Sequence, residues 1–593
     1  MNSDSLERAT VASRYAAPLL SSQNGTSMTA ISSGPNPNMR DLRKVIVSAS
    51  LGTMFEWYDF FIYALLAAVL SRQFFVGINE TAAFLVTLLS FAAGTAIRPL
   101  GALVFGRYGD LLGRKRVFLT TIIMMGGATF CIGLLPTYAT GGGFAAVLLV
   151  GLRLLQGFAL GGEYGGAAIY VAEHAPTGKR GFFTSWIQIT TPLGQLLAML
   201  VLLVVQLFVG AQDFASWGWR IPFLLSIVLL VISIWIRSTM HESPVFQAMK
   251  SGGTVSKAPL KEMILRWTNL RVVLVALFGL AAGQAIVINV GMTYSFFFVT
   301  QTLKLDFATA NALSAISLIL SAPFFVIFGA LSDKLGRKAI IMTGLALALV
   351  SYRPIFEGLT HFANPALEAA RTAAPVSVVA DPVECSFQFN PVGAASFRSS
   401  CDIAKSFLSR IGVPYDNVSA ATGTVARVEV GGRVLSSFDG TALPTAAFGP
   451  RVAAFNAELG TLIKSAGYPT AADPAQVNKP MVVLLLFAMM LFATMVYGPM
   501  AALLVEMFPP QIRYSSVSTA YNIGNGWFGG FTSPIAFALI AASGDIYAGT
   551  WYCTGVILLT LVVGLLFLKP ANLGSVKSVE AYEPAANQAS GTV

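Results

Sequence analysis

Gly106-Arg107-Tyr108-Gly109-Asp110-Leu111-Leu112-Gly113-Arg114-Lys115-Arg116 and Gly329-Ala330-Leu331-Ser332-Asp333-Lys334-Leu335-Gly336-Arg337-Lys338 are two copies of one pattern, G-x-x-x-D-x-x-G-R-K, set 223 residues apart. A second pattern, E-x-x-P-x-x-x-R, also occurs twice. It runs from Glu173 to Arg180 and again from Glu506 to Arg513, 333 residues apart. The excess of 110 residues is the size of a segment spliced into the second half. The chain therefore reads as two parallel halves, the second interrupted, and parallel repeats with a site between them are a transporter plan. In the loop pattern, glycines permit a tight turn between helices. Asp110 is available to a helix N-terminus, and Arg114 and Arg116 to helix C-termini or carboxylates. Such a cluster can lock one conformation and release it in another. Gly106, Gly113, Asp333, Gly336 and Arg337 join them as candidate lock residues.

The stretches around these loops are apolar. Of 593 residues only 11% are charged, against roughly 25% in an average soluble domain, and 55% are apolar. That balance excludes a purely soluble enzyme, a disordered chain and a secreted disulfide scaffold. The apolar runs are continuous rather than alternating, which argues against an outer-membrane barrel. Twelve stretches approach the length a helix needs to cross a bilayer: 44–70, 82–105, 117–137, 145–172, 181–209, 220–237, 272–300, 308–331, 339–354, 480–505, 514–541 and 547–568. The ninth is short, and Arg353 at its end is expected to snorkel to the interface. The fold class expected is an all-α membrane protein of 12 transmembrane helices in two six-helix halves, with a small extracytoplasmic α+β insertion.

Basic residues give the orientation. With both ends inside, cytoplasmic segments hold 23 Lys and Arg, and the short outer loops hold Arg72, Arg220 and Lys304. The asymmetry follows the positive-inside rule, and the net charge of +10 needs no nucleic acid. The expected organisation is a disordered cytoplasmic tail (1–40, with Met39 available as a second start), an N-terminal half (41–238) and a cytoplasmic central loop (239–270). Helices 7–9 (271–355), an extracytoplasmic insertion (356–478), helices 10–12 (479–570) and a cytoplasmic tail (571–593) follow. In the insertion, Val425–Val430, Gly431-Gly432 and Arg433–Leu435 read as a hairpin, and Asp402–Arg410 as a short helix. Cys385 and Cys401 form a candidate disulfide if that side is oxidising. The insertion can serve as a lid, a surface for an extracytoplasmic partner or a neutral addition.

An ionisable group inside a span is costly and so marks a functional candidate. Five occur, Glu56, Asp59, Arg98, Arg153 and Glu163, all in the first half. At 1.5 Å per residue, Glu56 and Asp59 lie roughly 18 and 22 Å up from the inner end of span 1, and Arg153 about 12 Å down from the outer end of span 4. These depths permit two pairs, Asp59 with Arg153 and Arg98 with Glu163. A static ion pair that fixes helix packing is the alternative to a proton-coupling pair. Gly157, Gly161 and Gly165 recur every four residues, a close-packing stripe rather than a phosphate loop. Three His, no Cys/His cluster, no nucleophile–base set and no G-x-x-x-x-G-K-[ST] loop argue against an enzyme, a metal centre or an ATP-driven pump. No cofactor is expected.

The twelve spans and the duplicated loop resemble the major facilitator superfamily. Within it, Glu56-Trp57-Tyr58-Asp59-Phe60, Arg98-Pro99-Leu100-Gly101, Trp219-Arg220-Ile221-Pro222-Phe223, Glu242-Ser243-Pro244 and Arg513-Tyr514-Ser515 resemble the metabolite–proton symporter family. That group includes permeases of 2-oxoglutarate, citrate, shikimate and proline/betaine. Gly151–Gly157 is similar to the superfamily's span-4 motif, whose arginine is associated with proton coupling. The likeness covers about 40–355 and 480–570, and says nothing of the insertion. With the basic residues in the spans, it implies a multi-pass inner-membrane importer of a small organic acid or related metabolite, driven by H+ and working by alternating access, and a monomer is expected. An exporter or uniporter of the same fold, or a solute sensor without flux, are the alternatives. Asp59, Glu56, Arg153 and Glu163 are the expected proton-coupling residues. Arg98, Tyr58, Gln156, Gln284, Asn289, Tyr294, Asn522 and Asn525 are the expected substrate contacts, with interhelical glue as the other reading of the neutral ones.

Overall fold

The computed structural model describes residues 39–76, 87, 90–176, 178–238, 242–386 and 397–568. Most of both tails and the start of the expected second span lie outside these. The first half contains α1 (Met39–Leu65), α2 (Ala67–Phe74), α3 (Arg98–Leu112), α4 (Arg114–Leu134), α5 (Tyr138–His174), α6 (Arg180–Val209) and α7 (Arg220–Ser238). The second contains α8 (Trp267–Thr302), α9 (Phe307–Leu335) and α10 (Arg337–Ala363), followed by the insertion. In the insertion, α11 (Pro365–Ala373), β1 (Val376–Ala380), α12 (Ser400–Ile411), β2 (Asp416–Ser419), β3 (Arg427–Val430), β4 (Arg433–Ser436) and α13 (Thr445–Ser465) occur in that order. After it come α14 (Lys479–Met507), α15 (Arg513–Ser543) and α16 (Gly549–Phe567).

Ten helices among the described residues, α4 to α10 and α14 to α16, are long and apolar enough to cross a membrane. In α1 the apolar run is diluted by four charged residues in the first turn and a half, and by Glu56 and Asp59 further on. In each half the helices pack chiefly on their own neighbours: α4 on α5 and α7, α1 on α6, α14 on α9 and α10, and α8 on α15 and α16. The halves meet where α15 lies on α3 and α5, and α6 on α9. In α8 and α15 the helix widens by a residue per turn at Leu277–Ala281, Val290–Tyr294, Phe298–Thr302 and Gly524–Gly529. Wide turns of this kind are frequent at functional sites.

The expectation for span 9 is corrected. It is not short: α10 continues through Pro354 to Ala363, and Asn364 then caps α11 by accepting from the Leu367 N–H at 3.0 Å. The inserted segment therefore begins near 364 rather than 356. Arg353 lies within the helix rather than at its end. Its guanidinium binds Glu357, one turn on, at 2.6 Å and Asp545 at 3.2 Å, so neighbouring carboxylates hold it.

The insertion is a four-stranded sheet in the order β2-β1-β3-β4. β1 and β2 run parallel, joined through α12, and the other pairs are antiparallel. Val428 and Val430 alternate inward and meet Ile403, Ala404 and Leu408 of α12 in a small core. Cys385 and Cys401 are joined by a disulfide. Tyr415 donates to Gly544 O and Ala541 O, Ala472 N–H to Lys304 O and Asn478 N–H to Phe362 O. These bonds fix the insertion to the ends of α8, α10 and α15, opposite the ends that carry the two loop patterns.

Glycine decides how closely the spans approach. A Cβ on Gly157 would sit 1.6 Å from Gly94 O, and one on Gly161 2.2 Å from Arg98 O. The α5 stripe thus lets the α3 backbone lie directly on it. Gly151, six residues earlier on α5, faces open space. Gly157→Val should cut the yield of monodisperse protein extracted from membranes several-fold, and Gly151→Ala should leave it unchanged. Equal yields for the two would contradict this packing.

Candidate functional site

The two loop patterns form matching clamps across the halves. Asp110, at the end of α3, accepts from the backbone N–H groups of Tyr514 (3.1 Å) and Ser515 (2.9 Å) and from the Ser515 hydroxyl (2.7 Å). Asp333, at the end of α9, accepts from the N–H groups of Gly181 and Phe182, both at 2.8 Å. Each carboxylate caps the first turn of a helix of the opposite half, where unpaired N–H groups and the helix dipole favour an anion. The E-x-x-P-x-x-x-R pairs complete the arrangement. Glu173 receives Arg513 at 2.9 Å and Arg114 at 3.6 Å. Glu506 binds Arg337, with Arg180 at 3.5 Å. Gly106 leaves room for the Ser515 backbone, and Gly113 and Gly336 take the positive φ angles of 105° and 93° that the turns require. Arg116 is exposed.

Above this clamp the first half holds its buried charges, and their partners differ from those that depth alone permits. Glu163 does not pair with Arg98, nor Asp59 with Arg153. Glu56 of α1 and Glu163 of α5 both bind Arg237 of α7, the latter at 3.5 Å, with all three side chains no more than 2% exposed. Arg237 also lies over the Phe118 ring at 4.3 Å. A Cβ on Gly52 would stand 2.7 Å from its Nε, so Gly52 provides the space. In the sequence Arg237 is the last residue of the expected sixth span, 220–237, and so is not among the five ionisable groups taken as lying inside spans. Its burial goes unnoticed in the sequence, and the two intramembrane glutamates in need of a cation are the signal that points to it.

Asp59 accepts from the Ser226 hydroxyl of α7 at 2.6 Å and has no ion pair among the described residues. Arg153 lies among aromatic faces, with Tyr63 at 4.1 Å, Phe91 at 5.1 Å and Phe60 at 5.8 Å. Electron-rich ring faces attract a desolvated guanidinium, which accounts for its position without a carboxylate. Gln156 accepts from Arg153 and donates to Thr129, so it serves the interior of the first half.

A second polar group lies on the seam between the halves. Arg98 Nε donates to Asn522 Oδ1 at 3.0 Å, and its Nη2 has no hydrogen-bond partner. Asn522 donates in turn to Gly161 O at 2.8 Å. Tyr164 of α5 stacks on Tyr521 of α15, ring centroids 3.4 Å apart, and the Tyr521 hydroxyl meets that of Tyr497 at 2.8 Å. Asn525, on the wide turn of α15, donates to Gln284 at 2.9 Å. Arg98, Gln284, Asn522 and Asn525 thus come together. The other expected contacts lie elsewhere. Tyr58 donates to Pro222 O within the first half, and Asn289 to Ala285 O on its own helix. Tyr294 is packed among Phe298, Phe356 and Phe537. The stacked Tyr164 and the Tyr497 hydroxyl are seam residues that the sequence reading does not pick out.

The comparisons with known proteins agree with this fold. Residues 45–263 match the family model described as sugar (and other) transporter. The shikimate transporter of Escherichia coli is 34% identical over 337 residues, which span 56% of this chain and 76% of that protein. The alpha-ketoglutarate permease of the same organism is 35% identical over 54% of this chain and 72% of its own length. The proline/betaine transporter of Salmonella typhimurium is 35% identical over 52% of this chain and 64% of its own. Among solved structures, the proton:xylose symporter XylE superposes with a TM-score of 0.58 at 16% identity, over 92% of this chain and 99% of that one. Two helical halves clamped by a duplicated loop, a polar seam between them and relatives that are transporters lead to one conclusion: the chain belongs to the major facilitator superfamily, among its sugar and other transporters, multi-pass membrane carriers of small molecules rather than enzymes.

Proposed function

We propose that the chain is a proton-coupled importer of a small organic acid, with twelve spans, both termini cytoplasmic and the insertion outside. The observation that carries the reading is Arg98, a buried guanidinium on the seam, tied to Asn522 of the opposite half and left with an unpartnered Nη2. A planar guanidinium fork matches a carboxylate. Shikimate, 2-oxoglutarate, proline and betaine, named for the relatives above, all carry one. Substrate binding at Arg98 would replace its bond to Asn522, with Gln284, Asn522 and Asn525 supplying neutral hydrogen bonds from the other half. Asp59 is the proton carrier in this scheme, because a carboxyl enclosed in hydrocarbon without a cation moves through the cycle at least cost when neutral. The disulfide supports an oxidising, outer location for the insertion, and the excess of basic residues in the other loops supports the same orientation.

In alternating access, the clamp must close one face and open in the other state. Uptake of labelled shikimate, 2-oxoglutarate and proline into proteoliposomes tests the reading. An inward proton gradient should drive accumulation of one of them, and Asp59→Asn should abolish the gradient's effect. Arg98→Ala should lower uptake on the order of tenfold or more, since a charge-assisted bond contributes about 1.5–3 kcal/mol. Equilibration without accumulation would show a uniporter, and binding without flux would favour a sensor.

Removal of one clamp carboxylate gives a second test. Asp110→Ala loses a cap worth about 0.5–2 kcal/mol, so the closed face should open roughly 2- to 30-fold more often. A cysteine placed at the buried Ser185, with Cys131 and Cys553 replaced, reports this as faster thiol labelling. Asp333→Ala should act in the same direction. An unchanged labelling rate in both would remove the clamp from the mechanism.

A further inference from the structure

Glu56, Glu163 and Arg237 bring two carboxylates to one guanidinium with no water-exposed surface between them. Fully ionised, the group carries a net negative charge, which is costly in hydrocarbon. One added proton makes it neutral. The structure offers a place for that proton: Oε2 of Glu56 and Oε2 of Glu163 both lack a hydrogen-bond partner, and the two carboxyls meet at the same Arg237 guanidinium. Two carboxylates that share a site hold one proton between them.

The surrounding titratable groups do not remove the imbalance. Asp59, one turn along α1, bonds to Ser226 and adds a further carboxyl within the field of Glu163 rather than a cation. Lys115 of α4 flanks the guanidinium, but its ammonium donates to Ser238 O at 2.7 Å. Tyr170 lies on the same side, and the Tyr514 hydroxyl of α15 donates to Gly162 O. Arg98 of α3 faces Glu163 electrostatically without forming an ion pair with it, held at Asn522. Arg98 is thus a cation outside the trio whose field reaches Glu163 from the substrate seam.

We propose that Glu56 and Glu163 bind a single shared proton over Arg237, as a site distinct from Asp59, and that occupation of Arg98 by a carboxylate substrate favours this proton. An anion on Arg98 cancels the positive field that otherwise helps hold the pair ionised. Substrate and proton then bind together, each easing the burial of the other. The coupling to substrate rests on Arg98 being the carboxylate site; the shared proton does not.

Infrared spectroscopy of the purified full chain in lipid, titrated with pH and without substrate, reads the C=O band of protonated carboxyl groups. The wild type should show a band that Glu56→Gln and Glu163→Gln each abolish, because one carboxylate against one guanidinium is neutral unaided. Asp59→Asn should lose only its own contribution. Arg237→Met should enlarge the band. Arg98→Gln, which removes the outer cation without any ligand, should carry the band's midpoint up by about one pH unit. Glutamine variants that each keep half the band would mean two independent carboxyls and overturn the shared site, as would an unchanged band in Arg237→Met. An unmoved midpoint in Arg98→Gln would overturn the coupling. The last two variants decide the matter even where a glutamine variant does not fold. No flux is measured, so failed uptake of the acid panel and a failed shared-proton site remain separate results.

Discussion

A charged side chain inside hydrocarbon must be met by another group, and the first half of this chain is arranged around that need. On insertion scales a central charge costs about 2.5–3.5 kcal/mol when unmet. Each of the buried charges is met differently. Arg237 holds α1, α5 and α7 together through two glutamates. Arg153 rests on three aromatic faces, and Asp59 takes a hydroxyl from α7. Arg98 reaches across to Asn522 in the opposite half. Small residues make these contacts geometrically possible: Gly52 admits the Arg237 guanidinium, and the Gly157–Gly161 stripe admits the α3 backbone that carries Arg98.

The halves share their clamp but not their interior. Asp110 and Asp333 perform the same capping in the same relation to the opposite half, and Glu173 and Glu506 each gather two arginines. Within the spans the resemblance stops. The second half offers amides, hydroxyls and wide helical turns at α8 and α15 where the first offers ions. Fully buried charge within the spans is thus kept on the first half, and the second offers neutral polar groups that cost less to dehydrate than ions. The backbone at the clamp is symmetric because the task there is symmetric.

The parts of this architecture that are legible in the sequence are those fixed by short-range rules. The duplicated loops are readable because a turn, a capping carboxylate and a basic cluster need particular residues at fixed spacing. The hairpin at 425–435 is readable for the same reason, through its Gly431-Gly432 turn. Height within a span is also readable, since rise per residue is constant. The direction a side chain faces is not: each residue turns a helix by about 100°, and small errors in span rotation exchange partners. Asp59 and Arg153 sit at compatible heights yet face Ser226 and a set of aromatic rings. Arg237 is hidden by its position as the last residue of the expected sixth span. The length of α10 is hidden by Pro354 and Arg353, which resemble a terminus until Glu357 and Asp545 are seen to hold the guanidinium.

The insertion has a mechanical consequence. All the bonds described for its docking run to α8, α10 and α15, so among the described residues it is tied to the second half. A rocking motion of a few degrees at the seam becomes a larger displacement at the far edge of the sheet, as at the tip of a lever. A load applied to that edge is conversely a torque on a single half, delivered at a distance from the path the solute takes.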